Sequence, residues 1–144
     1  MNKVSLSKFQ VEDAGFVKNN FASFFKNPTL DEVEKRIELW QDNLAFCVNF
    51  GNNRVGLVTL SEKQDKKLSF GIEILKEFRG KGIATHAFNL AAAEAKKRGY
   101  STIISSCEKT NIASKNLHKK LGFVLIKTEI NAAGKEMCRW EKKI

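Results

Sequence analysis

Apolar and polar residues alternate along Val4-Ser5-Leu6-Ser7-Lys8-Phe9, the period of a strand with one buried face. Over 11–25 the spacing becomes helical and rich in aromatics, and Pro28 closes that region. Thr29 then stands as an N-cap, with Leu30, Val33, Ile37 and Trp40 at helical spacing and acids in the first turn, so a second helix is predicted over 30–42. The runs 44–50 and 54–60 are β-rich and flank Gly51-Asn52-Asn53, a hairpin turn. In 68–75, Leu68, Phe70, Ile72 and Ile74 alternate with Ser69, Gly71, Glu73 and Leu75, which puts Glu73 on the face opposite Phe70, Ile72 and Ile74. A long helix over 83–98 carries a stripe of Ala84, Ala87, Phe88, Ala91, Ala92 and Ala95 and stops at Gly99. A buried strand over 101–107, a helix over 111–121 stopped by Gly122, and strands over 123–130 and 137–140 around Gly134 complete the chain.

This order predicts one α/β (α+β) domain spanning 1–144, with a central mixed, mostly antiparallel twisted sheet of about seven strands flanked by about four helices. The strand, helix, strand succession through 83–98 is a crossover, so 68–75 and 101–107 are expected to run parallel. No internal repeat, linker or low-complexity tract interrupts it.

Composition narrows the class. The 144 residues are 42% hydrophobic and 28% charged, as in ordinary globular proteins, and no stretch reaches the length of a membrane span. Cys47, Cys107 and Cys138 are odd in number and far apart, without the paired spacings of zinc or redox motifs, so no metal is expected. The opening residues lack an apolar signal segment, and together with the cysteines this points to a cytoplasmic protein with no membrane partner. Cys107 ends a predicted strand near the turn described next and is the thiol to watch. The net charge of +9 would attract polyanions, but the lysines are scattered and lack interleaved aromatics, so a solvated basic surface is expected rather than a nucleic-acid site.

Arg79-Gly80-Lys81-Gly82-Ile83-Ala84 joins a strand to a helix start, where free backbone N–H groups and the positive end of the helix dipole gather. The glycines admit unusual backbone angles and leave room for a diphosphate, and Arg79 and Lys81 add charge. A P-loop is excluded because Gly82 follows Lys81, and a dinucleotide fingerprint because Thr85 stands where its third glycine belongs.

Arg79-x-x-Gly82-x-Ala84 resembles the Gln/Arg-x-x-Gly-x-Gly/Ala signature of GNAT acetyltransferases, whose turn cradles the pyrophosphate of acetyl-CoA. The approach Ile72-Glu73-Ile74-Leu75-Lys76-Glu77-Phe78 is similar to the family's, with Lys76 where many members carry proline. Asn111-Ile112-Ala113-Ser114-Lys115-Asn116-Leu117-His118-Lys119-Lys120-Leu121-Gly122-Phe123 resembles its Asn-x-x-Ala-x-x-Leu-Tyr-x-Lys-x-Gly-Phe segment, with His118 at the tyrosine. The resemblance covers about the second half of the chain.

What it implies is an N-acetyltransferase with acetyl-CoA as acyl donor and a primary amine as acceptor, on a small molecule, a peptide N-terminus or a lysine. Ile74, Leu75, Arg79, Gly80, Lys81, Gly82, Ile83, Ala84, Thr85, Asn111 and Ser114 are the residues expected at the cofactor. In the family the amine attacks the thioester directly, and a backbone N–H where the strand bulges open, here near Ile74 or Leu75, serves the oxyanion. Glu73 is the candidate general base; the alternative is a solvent-exposed strand glutamate. Asn111, Ser114 and His118 share a helix face beside a stripe of Ala113, Leu117 and Leu121, so His118 could face the sulfur as acid, or lie on the surface. His86 is read as outer-facing. Phe21, Phe24, Phe25 and Trp40 could line the acceptor pocket or belong to the core. Two other readings stay open: an acetyl-CoA-binding module that has lost turnover, and a homodimer.

Overall fold

A computed structural model describes residues 3–144. Seven strands form one sheet in the order β1-β2-β3-β4-β5-β7-β6. They are β1 (Val4–Ser7), β2 (Leu44–Phe50), β3 (Asn53–Glu62), β4 (Leu68–Ile74), β5 (Thr102–Glu108), β6 (Val124–Ile130) and β7 (Glu136–Lys143). Every neighbouring pair is antiparallel except β4 and β5, which run parallel because α3 (Ile83–Lys97) carries the chain across the sheet between them.

The sheet separates two apolar layers. On one face α3 buries Ala87, Phe88, Ala91, Ala92 and Ala95 against Phe46, Val48, Val58 and Leu60, and α4 (Ile112–Lys120) lies beside it. Alanines let the helix backbone approach the strands, and the fully buried Phe88 fills the remaining space, 4.9 Å from the ring of Phe70. Truncating Phe88 would cost about 3–5 kcal/mol. On the other face α1 (Ala14–Asn20) and α2 (Leu30–Trp40) cover Ala45, Cys47 and Leu57 with Val17, Phe21, Val33 and Ile37. Thr29 caps α2 by accepting from the Glu32 N–H.

The predicted helix over 11–25 is three pieces. One-turn 3-10 segments, Val11–Asp13 and Ala22–Phe24, flank α1. Phe16 and Phe21 are five residues apart and would point about 140° apart on a continuous helix. Breaking after Asn20 brings their rings to 5.8 Å and lets Phe21 join Phe9 in the aromatic layer. The same layer takes Phe9 out of β1, which ends at Ser7. At the other end β7 runs on to Lys143. Its second half, Glu141-Lys142-Lys143, has no apolar alternation to reveal it and is held by pairing with β5 and by Glu141 between Lys67 and Lys143.

Candidate active site

The phosphate-type turn forms as its glycines dictate. Gly80 and Gly82 both hold left-handed backbone, with φ of 77° and 78°, and Gly82 is the N-cap of α3 without supplying any side-chain partner. The first intrahelical bond there is the His86 N–H to the Gly82 carbonyl. The first-turn N–H groups of Ile83, Ala84 and Thr85 precede it and lack helical partners by geometry. They open on a cleft of about 250 Å³ walled by Ile74, Phe78, Arg79, Gly80, Gly82, Ile83, Ala84 and Thr85 on one side and by Leu117 and Lys120 of α4 on the other. Lys81 instead faces the opposite flank of the helix start, beside Lys3, His86 and Asn89, so Lys120 is the lysine that lines the cleft. Nothing in the motif around Lys120 marks it for this cleft; only the packing of α4 beside the turn shows its place.

Next to this cleft the sheet opens. β4 and β5 pair only at Leu68 with Ile103 and Ser69 with Ile104, although β4 continues to Ile74 and β5 to Glu108. Each is held on its far side, β4 by β3 and β5 by β7, so a gap remains between them. The expected bulge is absent on the β3 side, where the register is unbroken from Glu62 opposite Leu68 to Gly56 opposite Ile74. The Leu75 N–H donates to the Val55 carbonyl at 2.8 Å, and antiparallel alternation then turns the N–H groups of Ile72 and Ile74 toward the gap. Of the two amides read from the sequence, Leu75's is committed to β3 and Ile74's faces the opening. The Arg79 Nε donates to the Ile74 carbonyl at 2.8 Å, fixing that peptide from the turn. Gly56 matters here for closeness: a Cβ would stand 2.7 Å from the Glu73 carbonyl oxygen and 2.7 Å from Ile74 Cδ1.

Glu73 lies on the α1/α2 face, as its alternation requires, opposite Leu57. It is half-buried and accepts a hydrogen bond from the Ser23 hydroxyl in the 3-10 turn after α1. Phe24 of the same turn packs over Gly71. Ser23 carries no motif and was not legible; the broken helix that delivers it was itself missed. Phe21 and Trp40 are core, and Phe24 and Phe25 are half-buried at that edge.

His118 lies beneath the gap rather than in it. It is 4% exposed and its ring stacks on Trp140 at 5.2 Å, edge-on to Phe123 and Phe70. Nδ1 lies 2.7 Å from the Ser114 carbonyl, which can only accept, so Nδ1 carries the proton. Nε2, 2.7 Å from the Ser105 hydroxyl, is then the acceptor. Burial lowers its pKa from 6.5, the Ser114 carbonyl opposing in part. In this arrangement the imidazole is neutral, both nitrogens are engaged and no N–H is left for a sulfur. The buried side of α4 is accordingly His118 with Leu121 behind it, while Ala113, read as part of the apolar stripe, is exposed.

Asn111 caps α4 by accepting from the Ser114 N–H, and Ser114 sits one turn above His118; neither lines the cleft at the glycine turn. His86 is exposed, as expected. Cys107 is buried and accepts from the Trp140 indole N–H, and burial pushes the Cys47 thiol up to about 11, so neither is poised as a nucleophile. Among the described residues no helix is long and apolar enough to cross a membrane.

No curated protein matches this chain in sequence. Solved structures resemble it over nearly its whole length. The N152L mutant of the spermidine N-acetyltransferase SpeG from Vibrio cholerae aligns at TM-score 0.82 and 21% identity, over 97% of this chain and 93% of that one. An acetyltransferase from Salmonella typhimurium that modifies the N-terminal serine of ribosomal protein L7/L12 aligns at 0.81 and 15%, over 98% and 95%. YncA from Salmonella typhimurium, solved with its cofactor acetyl-CoA, aligns at 0.77 and 15%, over 97% and 93%. At such identities these likenesses establish the fold. The sequence itself matches the acetyltransferase (GNAT) family over residues 16–123, a span that takes in the glycine turn, the strand gap and α4 together, and the chain belongs to that family.

Proposed function

We propose that this acetyltransferase uses acetyl-CoA to acetylate a primary amine by direct attack in a complex holding both substrates. The observation that carries the reading is the unpaired helix start set beside a parallel strand pair that parts after two residues. The first-turn N–H groups of α3, with Lys120 across the cleft, suit the carrier's diphosphate. The gap suits its amide-bearing arm, which can pair with the free edge of β4 as an added strand.

The residues then divide the chemistry. The Ile74 N–H donates to the oxygen on which negative charge develops, while Arg79 holds the carbonyl of the same residue, in the next peptide. Glu73, on the opposite face one residue earlier, takes the ammonium proton directly or through water. His118 is a positioning residue that ties α4 to β5 through Ser114 and Ser105. With no donor there, the thiolate leaves without a proton from this side chain. The acceptors named for the structural neighbours, spermidine and a ribosomal protein N-terminus, span small-molecule and peptide amines. Both classes are therefore substrates to assay.

Glu73→Gln tests the reading. The variant should keep wild-type acetyl-CoA affinity by calorimetry and lose roughly 10²–10⁴-fold in kcat at neutral pH, measured as CoA release with a panel of amines. Unchanged kcat would remove Glu73 as base, and a wild-type protein giving no heat with acetyl-CoA would remove the cradle. One observation favours a second reading, a binding module without turnover: the position where the family carries tyrosine offers no donor here. Acetyl-CoA binding without acetylation of any amine would select it.

A further inference from the structure

Cys107 and Cys138 are far apart in sequence, yet the register of β5 on β7 sets them directly opposite each other. Both side chains enter the layer under α3 and α4, both are buried and both are free thiols. Cys47 lies in the α1/α2 layer on the other side of the sheet and cannot reach them.

The kind of pairing follows from the two ends of the ladder. The Lys109 N–H donates to the Glu136 carbonyl and the Ile144 N–H to the Ser101 carbonyl, each at 2.9 Å. Between those ends the register is unbroken, so alternation makes Cys107 and Cys138 a hydrogen-bonded pair. The α carbons of such a pair stand about 5.5 Å apart, a separation common among disulfides. The β carbons also stand about 5.5 Å apart, roughly 1 Å beyond the disulfide range, so a bond has to draw the strands together.

β5 is the strand that yields. β7 is held on both sides, by β5 and β6, whereas β5 has no neighbour on its β4 side beyond Ile104. Continuing the parallel register from Ser69 opposite Ile104 brings Cys107 level with Ile72 across the gap.

We propose that Cys107 and Cys138 form a reversible cross-strand disulfide that shifts the β5 wall of the gap. The oxidant is a peroxide, small enough to enter beside β5, and Cys107, 7% exposed against 2% for Cys138, meets it first. The Cys107 sulfur attacks one peroxide oxygen and the O–O bond breaks, which leaves a sulfenic acid and one water. The Cys138 sulfur then attacks the Cys107 sulfur, the S–O bond breaks, and the hydroxyl leaves with the Cys138 proton as a second water. Two thiols thus lose two electrons to one peroxide. Burial makes the reaction slow, and the strain of the closed pair makes a dithiol reverse it readily.

The test is intact mass and peptide mapping of the full chain after excess hydrogen peroxide, before and after dithiothreitol, with Cys47→Ala and Cys138→Ser beside wild type. Wild type and Cys47→Ala should lose two hydrogens and give a peptide linking Cys107 to Cys138 that dithiothreitol opens; Cys138→Ser should give no link. Thiols that stay free, a link to Cys47, or Cys107 carried on to sulfinic acid without a link overturns the proposal. The consequence for the gap rests on the acetyl-CoA reading, because the arm laid along β4 loses its contact with β5. Calorimetry on the oxidised protein should give roughly fivefold or more weaker acetyl-CoA binding, restored by dithiothreitol. Equal affinity in the two states overturns the shift of the wall. Reduced protein that gives no heat strikes the acetyl-CoA reading instead, and the mass still decides the disulfide.

Discussion

Replacing Gly82 by alanine separates the two things its backbone does. At φ 78° an L side chain is strained, by about 1–2 kcal/mol, although nothing stands within 4 Å of the added Cβ. For 144 residues the unfolding entropy near the midpoint is about 0.3 kcal/mol per kelvin, so Tm should fall by about 3–7 °C. The Cβ also projects at the helix start whose first-turn N–H groups are unpaired. If those groups hold the carrier's diphosphate, displacing one or two charge-assisted bonds costs about 1.5–3 kcal/mol, or roughly ten- to a hundredfold in Kd. Gly99, beyond the other end of α3, is the control: its φ is 91° and its surroundings are equally open. Gly99→Ala should lose comparable stability and bind acetyl-CoA like wild type. Differential scanning calorimetry gives the first quantity and titration calorimetry the second. Equal affinities in Gly82→Ala and Gly99→Ala would refute the assignment of that turn to phosphate, whatever the melting points show.

Two further outcomes follow from the geometry around the gap. His118 has a folded-state pKa below its ordinary 6.5, so the unfolded chain binds the extra proton first as pH falls; the stability it contributes is complete above about 6.5 and lost as pH drops through the folded value. Denaturant unfolding of His118→Gln should therefore show a flatter pH dependence than wild type below 6.5, and an identical slope would mean the imidazole is not neutral in the fold. Gly56→Ala must push β3 from β4 at the Glu73 carbonyl, so kcat should fall more than acetyl-CoA affinity, with stability reduced by about 1–3 kcal/mol; unaltered turnover would show that the position of Ile74 is not critical.

Periodicity revealed the elements that are amphipathic in isolation. β2, β3, β4, α2 and α3 fall within a residue or two of where the pattern put them, and the parallel pair followed from the crossover. What stayed hidden depends on partners distant in sequence. The break after Asn20 exists because Phe9, Phe16 and Phe21 share one layer, and no local pattern records that meeting. The second half of β7 is charged because its pairs are ionic. His118 read as a polar face residue, yet Ser105 in the otherwise apolar run Ile103-Ile104-Ser105 is a buried hydroxyl that needs a partner, and that need was the one available signal. The backbone of the glycine turn was legible because it rests on conformations that only glycine supplies cheaply, whereas the direction of Lys81, read as adding charge there, depends on packing that no local pattern records.

The division of labour between Glu73 and Ile74 is a property of pleat and register. Consecutive strand residues point to opposite faces and alternate in which neighbour their amides address, so one step along β4 changes both a side chain's layer and an N–H group's partner. A slip of one residue would bury Glu73 against α3 and turn Ile74 into the α1/α2 layer, and it would also exchange their amides between β3 and the gap. The close approach at Gly56 opposes that slip, since it would bring Val55 or Leu57, each with a Cβ, to the place where the Glu73 carbonyl and the Ile74 side chain leave room only for glycine. Arg79 then fastens the Ile74 carbonyl from the very turn that begins α3. The amide facing the gap and the helix start facing the cleft are thus set by one short stretch of chain. For that reason a substitution at Gly56, on a different strand and without contact to any ligand, should be felt in the rate.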